Sequence, residues 1–195
     1  MTELLPLVFT SGWASGVNAY ATVLLLGLLG RFAGVDAVPA GLERTDVLVA
    51  AAVLYALEFV TDKIPYVDST WDAVHTVIRP SVGTAIALLV AGDATTLDQA
   101  VLGATGGVTA LVSHLVKAGL RLAVNTSPEP ASNIAVSVAE DGAVAGVVAL
   151  ALAAPEVAAV VAALLLVAGI ALVVMLARRI RRAREKWRAW RHRRA

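Results

Sequence analysis

The stretch from Val157 to Ala177 contains no charged residue, and that run narrows the fold more than any motif in the chain. At about 1.5 Å of rise per helical residue it covers the roughly 30 Å hydrocarbon core of a bilayer. A second uncharged run extends from Leu4 to Gly30. Glu3 precedes it, Pro6 lies inside it and the apolar run does not stop, which is not the basic start and compact core of a cleaved signal peptide. It reads as a retained membrane segment. Composition agrees, with 58% hydrophobic and 16% charged residues against roughly half and a quarter in an ordinary soluble domain. The fold class this predicts is all-α, a polytopic integral membrane bundle.

Six spans can be drawn, about Gly12 to Phe32, Val47 to Asp62, Trp71 to Ala91, Gln99 to Arg121, Ser132 to Ala153 and Val157 to Ala177. They form one transmembrane domain, residues 1–177, followed by a basic tail, residues 178–195. Ten of the sixteen Lys and Arg residues lie between Arg178 and Arg194, and cytoplasmic flanks carry the Lys and Arg excess. The tail therefore belongs in the cytoplasm, an even span count places the N-terminus there too, and the expected location is a plasma (inner) membrane.

The chain also echoes itself. Gly12, Gly16, Val17, Ala19, Leu24 and Leu29 recur as Gly103, Gly107, Val108, Ala110, Leu115 and Leu120, at a constant offset of 91. Both copies carry a Gly-x-x-x-Gly pair, the spacing that lets helices approach closely in lipid and that suits a homo-oligomer contact. Two readings stay open: coincidence in a chain rich in Ala, Gly, Val and Leu, or a 3+3 inverted repeat, which is a common transporter plan.

With no cysteine, disulfides, thiolate metal sites and cysteine nucleophiles are excluded. No G-x-S-x-G, P-loop or H-E-x-x-H pattern occurs, so no cofactor and no nucleophile is implied. The charge pattern implies no nucleic acid partner. It implies membrane lipids and, through the residues that follow, a small polar or ionic solute.

The apolar body gathers charge in DKIPYVDSTWDAVHTVIRP, Asp62 to Pro80. Glu58 and Asp62 are four apart at the end of the second span. Asp72, His75 and Arg79 follow at spacings of three and four, which aligns them on one side of the third helix, with Asp68 just before. His114, Lys117 and Arg121 repeat that pattern in the fourth, and Asn133, Ser137 and Glu140, with Asp141 beside it, make a stripe in the fifth. Ser69-Thr70-Trp71-Asp72 reads as a capping box opening the third helix after an Ile64-Pro65 turn, Ser127-Pro128-Glu129-Pro130 punctuates the next connection on that side, and Ser132 reads as an N-cap. A charge at the bilayer centre costs roughly 2.5 to 3.5 kcal/mol on insertion scales, so such groups should face one another or water. The expectation is a polar funnel between helices two to five, open to the cytoplasm.

Several chemistries fit that set. A single pair, such as Arg79 or Lys117 with Glu140 or Asp141, can simply lock helices together, which makes a membrane scaffold. Asp72-x-x-His75 and Glu58-x-x-x-Asp62 offer cation ligands, a metal included, whereas Lys63, Arg79, Lys117 and Arg121 suit an anion or lipid phosphate. His75 or His114 could transfer protons in an enzyme acting on a lipid or polyprenyl phosphate headgroup. Transport or permeation of a small solute uses the whole set, because intramembrane charge marks function by default. In the tail, Ile180, Ala183, Trp187 and Trp190 form an apolar stripe among arginines, suited to an anionic membrane surface. A solvated topogenic tail is the plainer reading.

The stretches SGWASGVNAY, EFVTDKIPYVDSTWDAVHTVIRP and SPEPASNIAVSVAED resemble the signature segments of a family of bacterial multi-span membrane proteins known as domain of unknown function 4126. The resemblance runs from Ser11 to Asp141 and leaves out the last span and the tail. It implies the membrane class and brings no activity, substrate, cofactor or residue role with it.

Overall fold

The computed structural model describes residues 2–64, 66–125 and 130–192, the side chains of 130, 183 and 186–192 excepted. Every regular element among them is a helix: α1 (Leu5–Val17), α2 (Ala19–Ala33), α3 (Thr45–Thr61), α4 (Val67–Ala91), α5 (Thr96–Val124), α6 (Pro130–Ala153) and α7 (Pro155–His192). Four of them, α4 to α7, are long and apolar enough to cross a membrane. The molecule is therefore a helical membrane protein.

The first expected span is not one rod. It breaks at Asn18, whose φ of −150° and ψ of 100° end α1, and whose side chain accepts from the Ala21 amide to start α2. Contacts along the two arms show where the chain goes. Val8 of α1 packs with Ala87, Ala91 and Leu102, at the end of α4 and the start of α5, while Gly16 lies against Ala110 and Ser113. Tyr20, at the start of α2, then meets His75, and Gly30, near its end, meets Val38 and Glu43 in the connection to α3. The pair is a hairpin that enters and leaves the bundle at the same end. With 13 and 15 residues, the arms reach about 20 and 22 Å, short of the roughly 30 Å core.

This corrects two expectations. The first hydrophobic run does not cross, so the span count is not six by that route. Leu7, early in α1, packs with Ala158 near the start of α7, so the start of α1 and the end of α7 lie at opposite ends of the bundle, where an even span count would put them together. α7 runs as one helix from Pro155 to His192. The apolar stripe proposed for the tail rests on Ala183, Trp187 and Trp190, whose side chains lie outside the described set.

The capping box is corrected too. α4 begins at Val67 after Tyr66, which adopts φ 70°, so Ser69 to Asp72 sit inside the helix, and it is the Asp68 carboxylate that accepts from the Ser69 amide. Ser132 likewise lies within α6 and is not its cap. The Ser127–Pro130 punctuation and the proline of the Ile64-Pro65 turn fall outside the described residues or side chains.

Glycine packs the centre. A Cβ on Gly12 would stand 2.7 Å from the Gly106 carbonyl oxygen, and one on Gly83 would stand 2.8 Å from the same atom, so α1, α4 and α5 meet backbone to backbone. The Gly-x-x-x-Gly faces are thus used within the chain. Around this trio, Trp13, Val17, Leu26, Ile86, Val144 and Val148 form the largest apolar cluster. Much of α7 remains an exposed apolar face, including Val160, Leu164 and Val167, as a lipid-facing helix requires.

Candidate functional site: a buried ionic network at a helix break

Ending α1 inside the bundle leaves carbonyls at its last turn without helical partners. Side chains meet two of them, and a third side chain meets the Trp13 carbonyl one turn earlier. Ser113 donates to the Trp13 carbonyl at 2.8 Å, Arg79 Nη1 to that of Gly16 at 3.2 Å, and Lys117 Nζ to that of Val17 at 3.0 Å. A helix C-terminus carries partial negative charge, so two cations and a hydroxyl are placed where the backbone attracts them. In return, Ser15 donates to the Arg79 carbonyl at 3.1 Å. The tip is held from a third side by Asn18, whose Nδ2 donates to Asp141 Oδ1 at 3.1 Å.

Each base is then bridged to carboxylates of other helices. Arg79 Nη2 lies 2.7 Å from Glu58 Oε1 and 3.1 Å from Asp72 Oδ1. Lys117 Nζ lies 2.6 Å from Asp62 Oδ2, 3.6 Å from Glu58 and 3.7 Å from Glu140. Arg121 pairs with Glu140 Oε2, donates to the Asp62 carbonyl and to Asn133 Oδ1, each at 2.7 Å, and reaches Asp68 Oδ2 at 3.8 Å. Asn125 secures Asp68 Oδ1 at 2.8 Å. Lys63, nearer the surface, donates to the carbonyl of Phe59 and to Ser137. Arg79, Arg121 and Glu58 are fully inaccessible, and Asp62, Asp72 and Lys117 are 3% exposed. Removing ions from water costs several kcal/mol each, offset only where geometry and hydrogen bonds are good. Multidentate pairing of the three bases supplies most of that geometry, with Arg79 Nε left buried and without a hydrogen-bond partner among the described residues.

The acids are less well satisfied. Glu58 Oε2, Asp62 Oδ1, Asp68 Oδ2, both Asp72 oxygens and Asp141 Oδ2 are buried without a hydrogen-bond partner among the described residues. Six carboxylates (Glu58, Asp62, Asp68, Asp72, Glu140, Asp141) face four basic side chains (Lys63, Arg79, Lys117, Arg121), an excess of two negative charges.

Both histidines are fixed by their neighbours. Arg79 has only donors, so His114 Nδ1, 2.8 Å from Nη1, accepts through its lone pair, and Nε2–H donates to Thr76 Oγ1 at 3.1 Å. His75 Nδ1 donates to the Trp71 carbonyl at 2.8 Å, leaving Nε2 to Tyr20 Oη at 3.0 Å. Neither ring keeps a free lone pair, and among the described residues no three carboxylates or imidazoles converge as a metal set.

All thirteen residues expected from the sequence fall in one connected region, spread over α3, α4, α5, α6 and the turn after α3. Ion pairs join its side chains across the middle. Among the described residues two clefts flank it: one of about 180 Å³ between α4 and α5 lined by Ser69, Asp72, Thr76 and His114, and one of about 140 Å³ reaching Lys117 and Glu140 beside α7. Asn18, Tyr20, Thr76 and Asn125 were not legible as site residues. Asn18 left the one available signal, as the only amide side chain between Leu4 and Gly30.

The domain of unknown function DUF4126 matches residues 5–175. The chain belongs to the DUF4126 family. That match extends past the three resembling stretches, taking in α1 and nearly all of the membrane part of α7, so the hairpin and every residue of the network lie within the family domain. No curated protein and no solved structure matches the chain. The chemistry of this DUF4126 member is accordingly argued from its own side chains.

Proposed function

We propose that this protein carries or conducts a small polar or ionic solute across the bacterial plasma membrane, with Glu58, Asp62, Asp72 and Glu140 binding solute or exchanging protons and Arg79 and Lys117 balancing their charge. The observation that carries the reading is the meeting of this charge-unbalanced network with the broken end of α1, deep in a bundle in which four helices, α4 to α7, are membrane-length. Discontinuous helices whose ends supply backbone groups to a site are a transporter device, and half-helix C-terminal carbonyls favour cations.

A second observation supports the same plan. The offset of 91 relates not only residues but elements: α1–α2 begin at Leu5 and end at Ala33, and α5 begins at Thr96 and ends at Val124. On a 3+3 plan α3 corresponds to α6 and α4 to α7, and each corresponding pair runs in opposite directions. The break at Asn18 is where the halves differ. With the basic tail inside, the charged end of the bundle faces the cytoplasm and the N-terminus lies outside.

A headgroup enzyme is less well supported, since all three buried bases are committed to carboxylates and none is offered to a phosphate. A scaffold requires every charge paired, and the unpartnered acid oxygens argue against that. The test is flux. Purified protein in sealed vesicles should move ions or small polar solutes under a gradient, and Glu140→Gln should change the rate. Protein that moves none, in wild type and variant alike, rejects transport.

A further inference from the structure

The excess of carboxylate over base needs a positive counterpart, since two uncompensated charges in a low-dielectric interior cost several kcal/mol each. The position of that counterpart is constrained. Of the acids with unpartnered oxygens, Asp72 is the one that lines the cleft between α4 and α5. Asp72 is 3% exposed. Its Oδ1 has the Arg79 guanidinium at 3.1 Å, and neither oxygen accepts a hydrogen bond among the described residues.

The chemistry around it selects the counterpart. A transition metal is disfavoured because His114 has its Nδ1 lone pair on Arg79 and directs its Nε2–H at Thr76. Thr76 Oγ1 spends its proton on the Asp72 carbonyl at 3.2 Å and keeps a lone pair free. Ser69 Oγ, accepting from Asn125 Nδ2 at 2.9 Å, is also able to accept again. The polar residues lining the cleft therefore bring a carboxylate and two hydroxyl oxygens that can accept, Ser69 also keeping a hydroxyl proton to donate. Its walls are Ala73, Leu115, Ala118 and Leu122, which would strip a hydrated alkali ion of water without replacing it but would shelter a carbon chain. The volume, about 180 Å³, is about six times the share of one water in the liquid.

We propose that the cleft between α4 and α5 binds a small organic cation, a primary ammonium on a short apolar chain, with Asp72 as counter-ion and Thr76 and Ser69 as hydrogen-bond acceptors. This rests on the transport reading and names the solute class for it. The ammonium supplies three N–H donors and one positive charge, matching the acceptors and reducing the charge excess. Ser69 lies in the first turn of α4, so the cleft also opens near the charged end of the bundle, where such a solute would enter.

The experiment uses full-length protein in lipid nanodiscs titrated with n-butylammonium chloride, followed by ligand-detected NMR and by the thermal midpoint. n-Butanol and sodium chloride are the controls. Saturable butylammonium binding, absent for butanol and unaffected by equimolar sodium, is expected, with affinity at least tenfold weaker in Asp72→Asn. Because that variant also disturbs Arg79, Ala118→Phe is the companion: it fills the cleft from its wall, leaves the ion pairs intact and should abolish binding with the thermal midpoint retained. Absence of saturable binding to folded wild type, equal binding of butanol, or binding unchanged in both variants overturns the proposal. Flux of other solutes without amine binding sinks this inference alone, and amine binding without any flux sinks the transport reading alone.

Discussion

The same three helices, α1, α4 and α5, behave differently at their two ends. Where α1 begins, α4 ends and α5 begins, they touch through Gly12, Gly83 and Gly106 and through Val8, Ala87 and Leu102, with little to hydrogen-bond and no space left. Toward the other end, Arg79, Lys117 and Ser113 reach from α4 and α5 to the carbonyls of α1 and out to carboxylates on α3 and α6. Backbone contact at the first end leaves the helices one spacing only. That fixed spacing is what lets long, flexible side chains at the second end find partners within hydrogen-bond range, since ion-pair geometry decides whether burial is tolerated at all. One end is complete as built, and the other is short of positive charge.

The comparison is broken most severely at Arg79. Arg79→Met leaves Asp72 without a counter-ion and Glu58 with Lys117 alone, 3.6 Å away, and should cost about 3–5 kcal/mol, read as a lower denaturation midpoint in detergent. Combining it with Glu58→Gln should recover part of the loss. No recovery would mean that Arg79 acts through the Gly16 carbonyl instead of through the acids. Next in size is Gly106→Ala, whose Cβ would stand 2.5 Å from the Gly83 carbonyl oxygen. Overpacking of that kind costs about 1–3 kcal/mol. Because the spacing of α4 and α5 should then change at both ends, a butylammonium affinity left intact in Gly106→Ala would show the two ends to be independent. Ser113→Ala removes one donor to the Trp13 carbonyl and should lower stability by about 1 kcal/mol, a calorimetric shift that locates the hairpin's anchoring. Asp46→Asn breaks an exposed pair with Arg44 and should leave the denaturation midpoint unchanged, serving as the baseline for the other three.

The ionic end was readable from sequence because lipid imposes a rule that water does not. Charges spaced three and four apart in apolar segments must turn inward, so Asp72, His75 and Arg79 and then His114, Lys117 and Arg121 could be grouped on faces without coordinates. The family resemblance also held and proved longer than the stretches that carried it. The hairpin was not readable. Asn18 sits in an uncharged run whose hydropathy barely changes, and a helix break costs little composition when its partners, Arg79, Lys117 and Asp141, lie 61 to 123 residues away. The start of α4 was misplaced for a related reason: Asp68 and Asp72 have capping chemistry, yet Asn125 and Arg79 hold their carboxylates. Local signals lose wherever a distant side chain competes for the same atom.

The hairpin's ties also set an order of assembly. Ser113 and Lys117 each bridge 100 residues to reach α1, so two of the α1 carbonyls lack these donors until α5 has been synthesised. Inserted alone, it would have to linger at the membrane surface or in a provisional crossing, and it could settle only when the later helices close around it. In this molecule the beginning of the chain is the last part to reach its native place.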